Sequence, residues 1–93
     1  MTEFEKFVDE KIANVIPKYE KLEVRANISD TAYSVEFFVT VDGDRKQNYE
    51  MVDNEEIAED TMDKLTEDIA KFYRKTPEYV SGKVNNVSFV ITK

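Results

Sequence analysis

The chain has neither a cysteine nor a histidine among its 93 residues. The first absence removes disulfides and thiol nucleophiles, so packing alone must hold the fold. The second removes the commonest general base and the commonest zinc ligand together. Tryptophan is missing as well, and there is no internal repeat, linker or low-complexity segment. No apolar run exceeds a few residues, so no stretch is long enough to span a bilayer as a helix. Phosphate loops, dinucleotide fingerprints, nucleophile elbows and metal-ligand spacings are all absent. A catalytic site would have to run on carboxylates, lysine or tyrosine, and no arrangement of these reads as one. The expectation is a protein that is not an enzyme and uses no cofactor or metal.

What remains is enough to fold. Hydrophobic residues make up 41% of the chain, including six phenylalanines and five tyrosines, which suits one modest core and one domain over residues 1–93. The opening MTEFEKF is acidic and lacks the basic and apolar regions of a signal peptide. A cytoplasmic location is therefore expected.

The net charge is −7, and it is unevenly spread. Residues 1–41 carry eight acids and five bases, a net −3; residues 42–68 carry eleven acids and three bases, a net −8; residues 69–93 carry one acid and five bases, a net +4. An acidic block of that size disfavours direct contact with a nucleic-acid backbone and favours a basic protein partner.

Periodicity divides the chain. Thr2 and Glu5 have capping-box spacing, and Phe4, Phe7, Val8, Ile12, Val15 and Ile16 fall on one helical face behind them. Pro17 ends that helix, which is expected from about Glu3 to Val15. From Lys21 the period becomes two: Leu22, Val24, Ala26 and Ile28 alternate with Glu23, Arg25 and Asn27. After the turn residues Ser29-Asp30-Thr31, the residues Tyr33, Val35, Phe37, Val39 and Val41 repeat the pattern, with Phe38 as a lone aromatic on the polar side. Asp42-Gly43 marks a hairpin, because both residues tolerate positive φ. Its acids lack the spacing of a calcium loop.

A third, more polar strand is expected from Arg45 to Val52 at a sheet edge, with Tyr49 and Met51 pointing inward. From Asp53 to Lys75 the apolar positions Ala58, Met62, Leu65, Ile69 and Phe72 recur in steps of four and three, with Ile57 and Tyr73 beside them. One long helix is expected there, opened by a capping box of Asp53 and Glu56 and closed at Thr76-Pro77. The tail admits two readings, a hairpin turning at Asn85-Asn86 or one strand from Val84 to Thr92. The fold class that follows is α+β: an antiparallel sheet of four to five strands with two helices packed on one face, in the order α-β-β-β-α-β(β).

The solvent face of the long helix supplies the candidate site. Glu56, Glu59, Asp60, Asp63 and Glu67 are all of one sign, with Lys64 the one cation close in sequence on that face. Like charges at i,i+4 cost a few tenths of a kcal/mol per pair, so such a row is mildly unfavourable unless it meets a partner. A solvated helix face accounts for it equally well.

Residues 11–41 also carry a family likeness. Ile12-Ala13, Ile16-Pro17, the strand from Leu22 to Ile28 and the strand from Tyr33 to Val39 resemble the opening of the YezG/EsaG-type immunity proteins of Gram-positive bacteria. The order of the later elements is similar too, although this chain has no tryptophan. The resemblance implies a cytoplasmic antitoxin that binds and blocks a toxin secreted by a type VII system. No binding residues come with it. The expected partner is a basic toxin such as a nuclease, met by the carboxylate row, with the protein itself a monomer or homodimer. The alternatives are a phage or host regulator that mimics DNA, of the anti-CRISPR or anti-restriction kind, and a homodimeric domain of some other role.

Overall fold

The capping box at the N-terminus forms as the spacing predicts. Thr2 accepts from the Glu5 N–H at 3.1 Å while the Glu5 carboxylate accepts from the Thr2 N–H at 3.3 Å. It opens α1 (Glu3–Val15), and the chain then runs through β1 (Lys21–Ile28), β2 (Tyr33–Val41), β3 (Asp44–Gln47), α2 (Asn48–Asp53), α3 (Glu59–Tyr73), α4 (Pro77–Val80) and β4 (Asn86–Thr92). These elements come from a computed structural model, which describes residues 1–82 and 84–93. The four strands form one antiparallel sheet in the order β3-β2-β1-β4. The β2–β3 turn places Asp42 at φ 50° and Gly43 at φ 83°, the pair of positive values a two-residue hairpin requires. The tail is a single strand, not a hairpin, and it returns beside β1.

The alternation on β1 and β2 sorts the two faces of the sheet. Leu22 lies across from Val39 and Ile91, Val24 from Phe37 and Phe89, and Ala26 from Val35 and Val87. These side chains form the floor of the core, and α1 and α3 cover them with Val8, Ile12, Met62, Leu65 and Ile69. Phe4 sits among Phe72, Tyr73 and Phe89, with ring centroids 6.4, 4.8 and 6.0 Å away. The other face of the sheet stays open and mostly polar. Phe38 lies there, half-buried beneath the Arg45 guanidinium at 3.7 Å, and Arg45 in turn pairs with Glu23 at 2.8 Å.

Two elements differ from the expected pattern. The third strand stops at Gln47, and Asn48–Asp53 is a helix, so only Met51 of the two inward candidates is buried and Tyr49 is exposed. The cause is the Asn48 side chain, which is fully buried: its Oδ1 accepts from the Phe37 N–H at 3.2 Å and its Nδ2 donates to the Val35 carbonyl at 3.1 Å. One amide group thereby does for β2 what a longer third strand would have done. The Gln47 side chain then caps the new helix, accepting from the N–H groups of Tyr49 and Glu50.

The second difference follows. The long helix begins at Glu59 instead of Asp53, and the Asp53–Glu56 capping box does not form, because residues 54–58 connect two separate helices. Glu55 takes the left-handed conformation at φ 61°, with Glu56 N–H bonded to the Met51 carbonyl and Glu55 N–H to that of Val52. This is a Schellman stop with glutamate where glycine is usual. The long helix also closes two residues early, at Tyr73.

A polar clasp ties the chain ends together. The buried Tyr19 hydroxyl donates to the Asp9 carboxylate and to its backbone carbonyl, and Lys93 reaches the same carboxylate at 2.9 Å. Burial raises the Asp9 pKa, but the bonds from Tyr19 and Lys93 outweigh it and hold the carboxyl below its usual value.

Replacing Asn48 with leucine strands the Phe37 N–H, while the Val35 carbonyl keeps its bond from the Tyr49 hydroxyl, and is expected to cost about 2 kcal/mol in urea unfolding. Asp9→Asn should remove a stabilisation that is present above about pH 4. Because the native carboxyl titrates lower than the unfolded one, the gap between wild type and variant should shrink as pH falls below that range. Urea midpoints measured from pH 7 to pH 2 check both the size and the sign.

Candidate functional site: an acidic surface on two helices

The break at Glu55 divides the five carboxylates that the sequence puts in one row. Glu56 falls outside α3, in the connection after α2, and forms an ion pair with Lys46 of β3 at 2.6 Å. Glu67 forms one with Lys71, one turn further along α3, at 2.7 Å. The bond from Lys71 holds the Glu67 carboxyl below its usual range, and the bond to Glu56 raises the Lys46 amine. Lys64, the cation nearest in sequence, turns to Asp68 at 3.0 Å and leaves the row alone. Two of the five acids are thus already matched by cations that the sequence reading did not assign to them.

Glu59, Asp60 and Asp63 are different. They are exposed, and among the described residues no lysine or arginine nitrogen lies within 4.0 Å of their carboxylates. On a helix they span about 100° of arc, with Glu59 at one margin and Asp60 at the other. Glu59 and Asp60 occupy the first turn of α3, whose N-cap Ala58 offers no side-chain acceptor, so their charge offsets the positive end of the helix dipole.

The helix at Asn48–Asp53 adds two acids that a strand would have placed elsewhere. Asp53 joins Glu59 and Asp63 around a groove of about 310 Å³ between α2 and α3, together with Tyr49, Val52 and Met62. Tyr49 is 47% exposed at its rim and is held there by a hydroxyl bond to the Val35 carbonyl at 3.0 Å. Glu50 lies on the same short helix, exposed and likewise without an ion pair among the described residues. Asp60 opens on the other side of α3, in a groove of about 420 Å³ shared with Lys11, Asn14 and Lys64 of the α1–α3 seam. The acidic surface therefore straddles α3, centred on the α2–α3 groove. Sequence reasoning missed Glu50 and Asp53 because it placed them on an edge strand and at a helix cap. The one signal for them was Asn48 after Gln47, a pair suited to ending a strand and capping a helix.

The carboxylates are spread over α2, α3 and the groove between them, and no group of three or more side chains placed to hold a metal ion occurs among the described residues. No described helix is long and apolar enough to cross a membrane. No protein-family model matches the chain and no curated protein matches it, so the site is read from its own geometry.

The hinge that sets the two walls of the groove can be tested directly. Glu55→Gly removes the cost of a left-handed non-glycine residue and should stabilise the protein by about 0.5–1 kcal/mol, read as a raised urea midpoint.

Proposed function

We propose that this protein is a small acidic immunity protein or inhibitor, acting in the cytoplasm by stoichiometric binding of a basic partner, with a secreted toxin such as a nuclease as the partner class. The observation that carries this reading is the set of exposed, unpaired carboxylates Glu59, Asp60 and Asp63, with Glu50 and Asp53 beside them. A protein with lysines at hand for Glu56 and Glu67 leaves these acids without one among the described residues. Their mutual repulsion is a standing cost that a cationic partner would relieve. Tyr49, rigidly held and half-exposed between them, is the kind of aromatic anchor found at the centre of interfaces. Nuclease toxins are basic along their substrate groove, and a cluster of carboxylates can occupy a track shaped for phosphates. The resemblance of residues 11–41 to the YezG/EsaG-type immunity proteins agrees with this.

The test is affinity capture from the native host with the wild-type protein and with the triple variant Glu59→Lys, Asp60→Lys, Asp63→Lys. A basic protein retained by the first and lost by the second is expected, with association slowed roughly tenfold or more and less sensitive to salt. Capture that survives the reversal unchanged would place the binding face elsewhere. Identification of the captured protein as a DNA-processing enzyme of phage defence, instead of a toxin, would replace the immunity role with DNA mimicry on the same surface.

A further inference from the structure

The two edges of the sheet are treated very differently. The β3 edge is four residues long and carries Asp44, Arg45 and Lys46, and the part of β2 beyond it is closed by Asn48 and Tyr49. Short length, charge and side-chain plugs are the usual means of keeping an edge from pairing. The β4 edge has none of them. Asn86–Thr92 reads NVSFVIT, without a charge or a proline, and it lies at the end of the strand order with no described strand beyond it.

The register shows which of its groups face outward. The Ile28 N–H bonds to the Asn85 carbonyl and the Lys93 N–H to that of Glu20, so odd-numbered residues of β4 spend their backbone groups on β1. The N–H and carbonyl groups of Asn86, Ser88, Val90 and Thr92 therefore point away from the sheet. On the core side Val87, Phe89 and Ile91 are only half-buried, whereas Leu22, Val24 and Ala26 next to them on β1 are buried. A groove of about 250 Å³ runs along this edge, floored by Phe4, Tyr73, Val87 and Phe89 and rimmed by Glu5 and Glu78.

We propose that β4 pairs with β4 of a second copy of this chain, antiparallel about a two-fold axis at Phe89, joining the two sheets into one of eight strands. In that register Ser88 lies opposite Val90 of the second copy and Asn86 opposite its Thr92, so every outward backbone donor and acceptor along the strand is matched. On the core side Val87 meets Ile91 of the second copy at the mouth of the groove, and the two Phe89 rings meet at the axis. Charge selects this partner and this edge. The acidic block lies at the far side of the sheet, where Glu56 reaches Lys46 of β3 and α2 packs on β2 and β3. Two chains of net charge −7 meet with least repulsion through the uncharged strand farthest from that block. The assembly then carries its two acidic surfaces at opposite ends, both open, and does not depend on what they bind.

Light scattering on the purified full-length protein should give twice the chain mass. The variant Ser88→Lys, Val90→Lys places lysines directly across from lysines in the proposed register while altering only exposed positions. It should halve that mass with an unchanged circular dichroism spectrum. A second variant, Ser88→Pro, deletes one outward N–H and leaves the β1 ladder intact, and it should weaken the dimer in the same way. Amide hydrogen exchange supplies the independent readout, with the Ser88 and Val90 amides slow in the wild type and fast in the lysine variant. A monomeric wild type at high concentration would overturn the proposal. So would a dimer that survives the lysine pair while those two amides exchange freely, since the contact would then lie elsewhere.

Discussion

The buried side chain of Asn48 is the constraint on which the rest of the architecture turns. By bonding the Phe37 N–H and, together with the Tyr49 hydroxyl, the Val35 carbonyl, it pairs two outward groups of β2 without a strand beside them. That frees the chain to leave the sheet after only four residues of β3 and coil at once into α2. Met51 then drops into the core, the Glu55 stop reverses the path, and Ile57 and Met62 seat α3 over the sheet. A buried amide costs free energy unless all its partners are present, so this arrangement is stable in one geometry only. The position of the acidic groove between α2 and α3 is a consequence of that one substitution of side chain for strand.

Electrostatics on the surface divides into acids that the fold compensates and acids that it leaves alone. Glu23, Glu56, Glu67 and Asp68 each have a lysine or arginine within 4.0 Å, and Asp9 has Lys93 together with Tyr19. Most of these pairs are solvent-exposed and add little to stability. Their significance is in what they leave over. With cations committed to Glu56, Glu67 and Asp68, the acids of the block left without an ion pair among the described residues are Glu50, Asp53, Glu59, Asp60 and Asp63 on α2 and α3, together with Asp42, Asp44 and Glu55. The field of those on α2 and α3 is what the proposed inhibitor role draws on.

The two ends of the sheet complete a division of labour. The charged, plugged edge at β3 carries the acidic helices, and the neutral edge at β4 has no strand beyond it among the described residues. A polar clasp of Asp9, Tyr19 and Lys93 holds the end of β4 against α1 and the start of β1. The open face of the sheet stays polar through Glu23, Arg25, Glu36 and Arg45, with Phe38 screened by the Arg45 guanidinium.

Wherever a local rule could act alone, the sequence determined the outcome. The capping box at Thr2, the stop before Pro17, the alternation on β1 and β2 and the Asp42-Gly43 turn all depend on neighbours a few residues apart, and all four form as expected. So does the α+β arrangement, since two apolar stripes and an alternating meander have few ways to bury one another. What tertiary structure decided was each point where a distant group overrode the local pattern. Asn48 ends a strand through partners on β2 eleven and thirteen residues away, and Glu55 adopts a glycine conformation that its identity does not announce. The same holds for the candidate site: periodicity could put five carboxylates on one face, but Lys46 reaches Glu56 only because β3 and the α2–α3 connection are brought together in space. Charge can be counted along a chain, whereas which charges remain unpaired is settled only when the chain has folded.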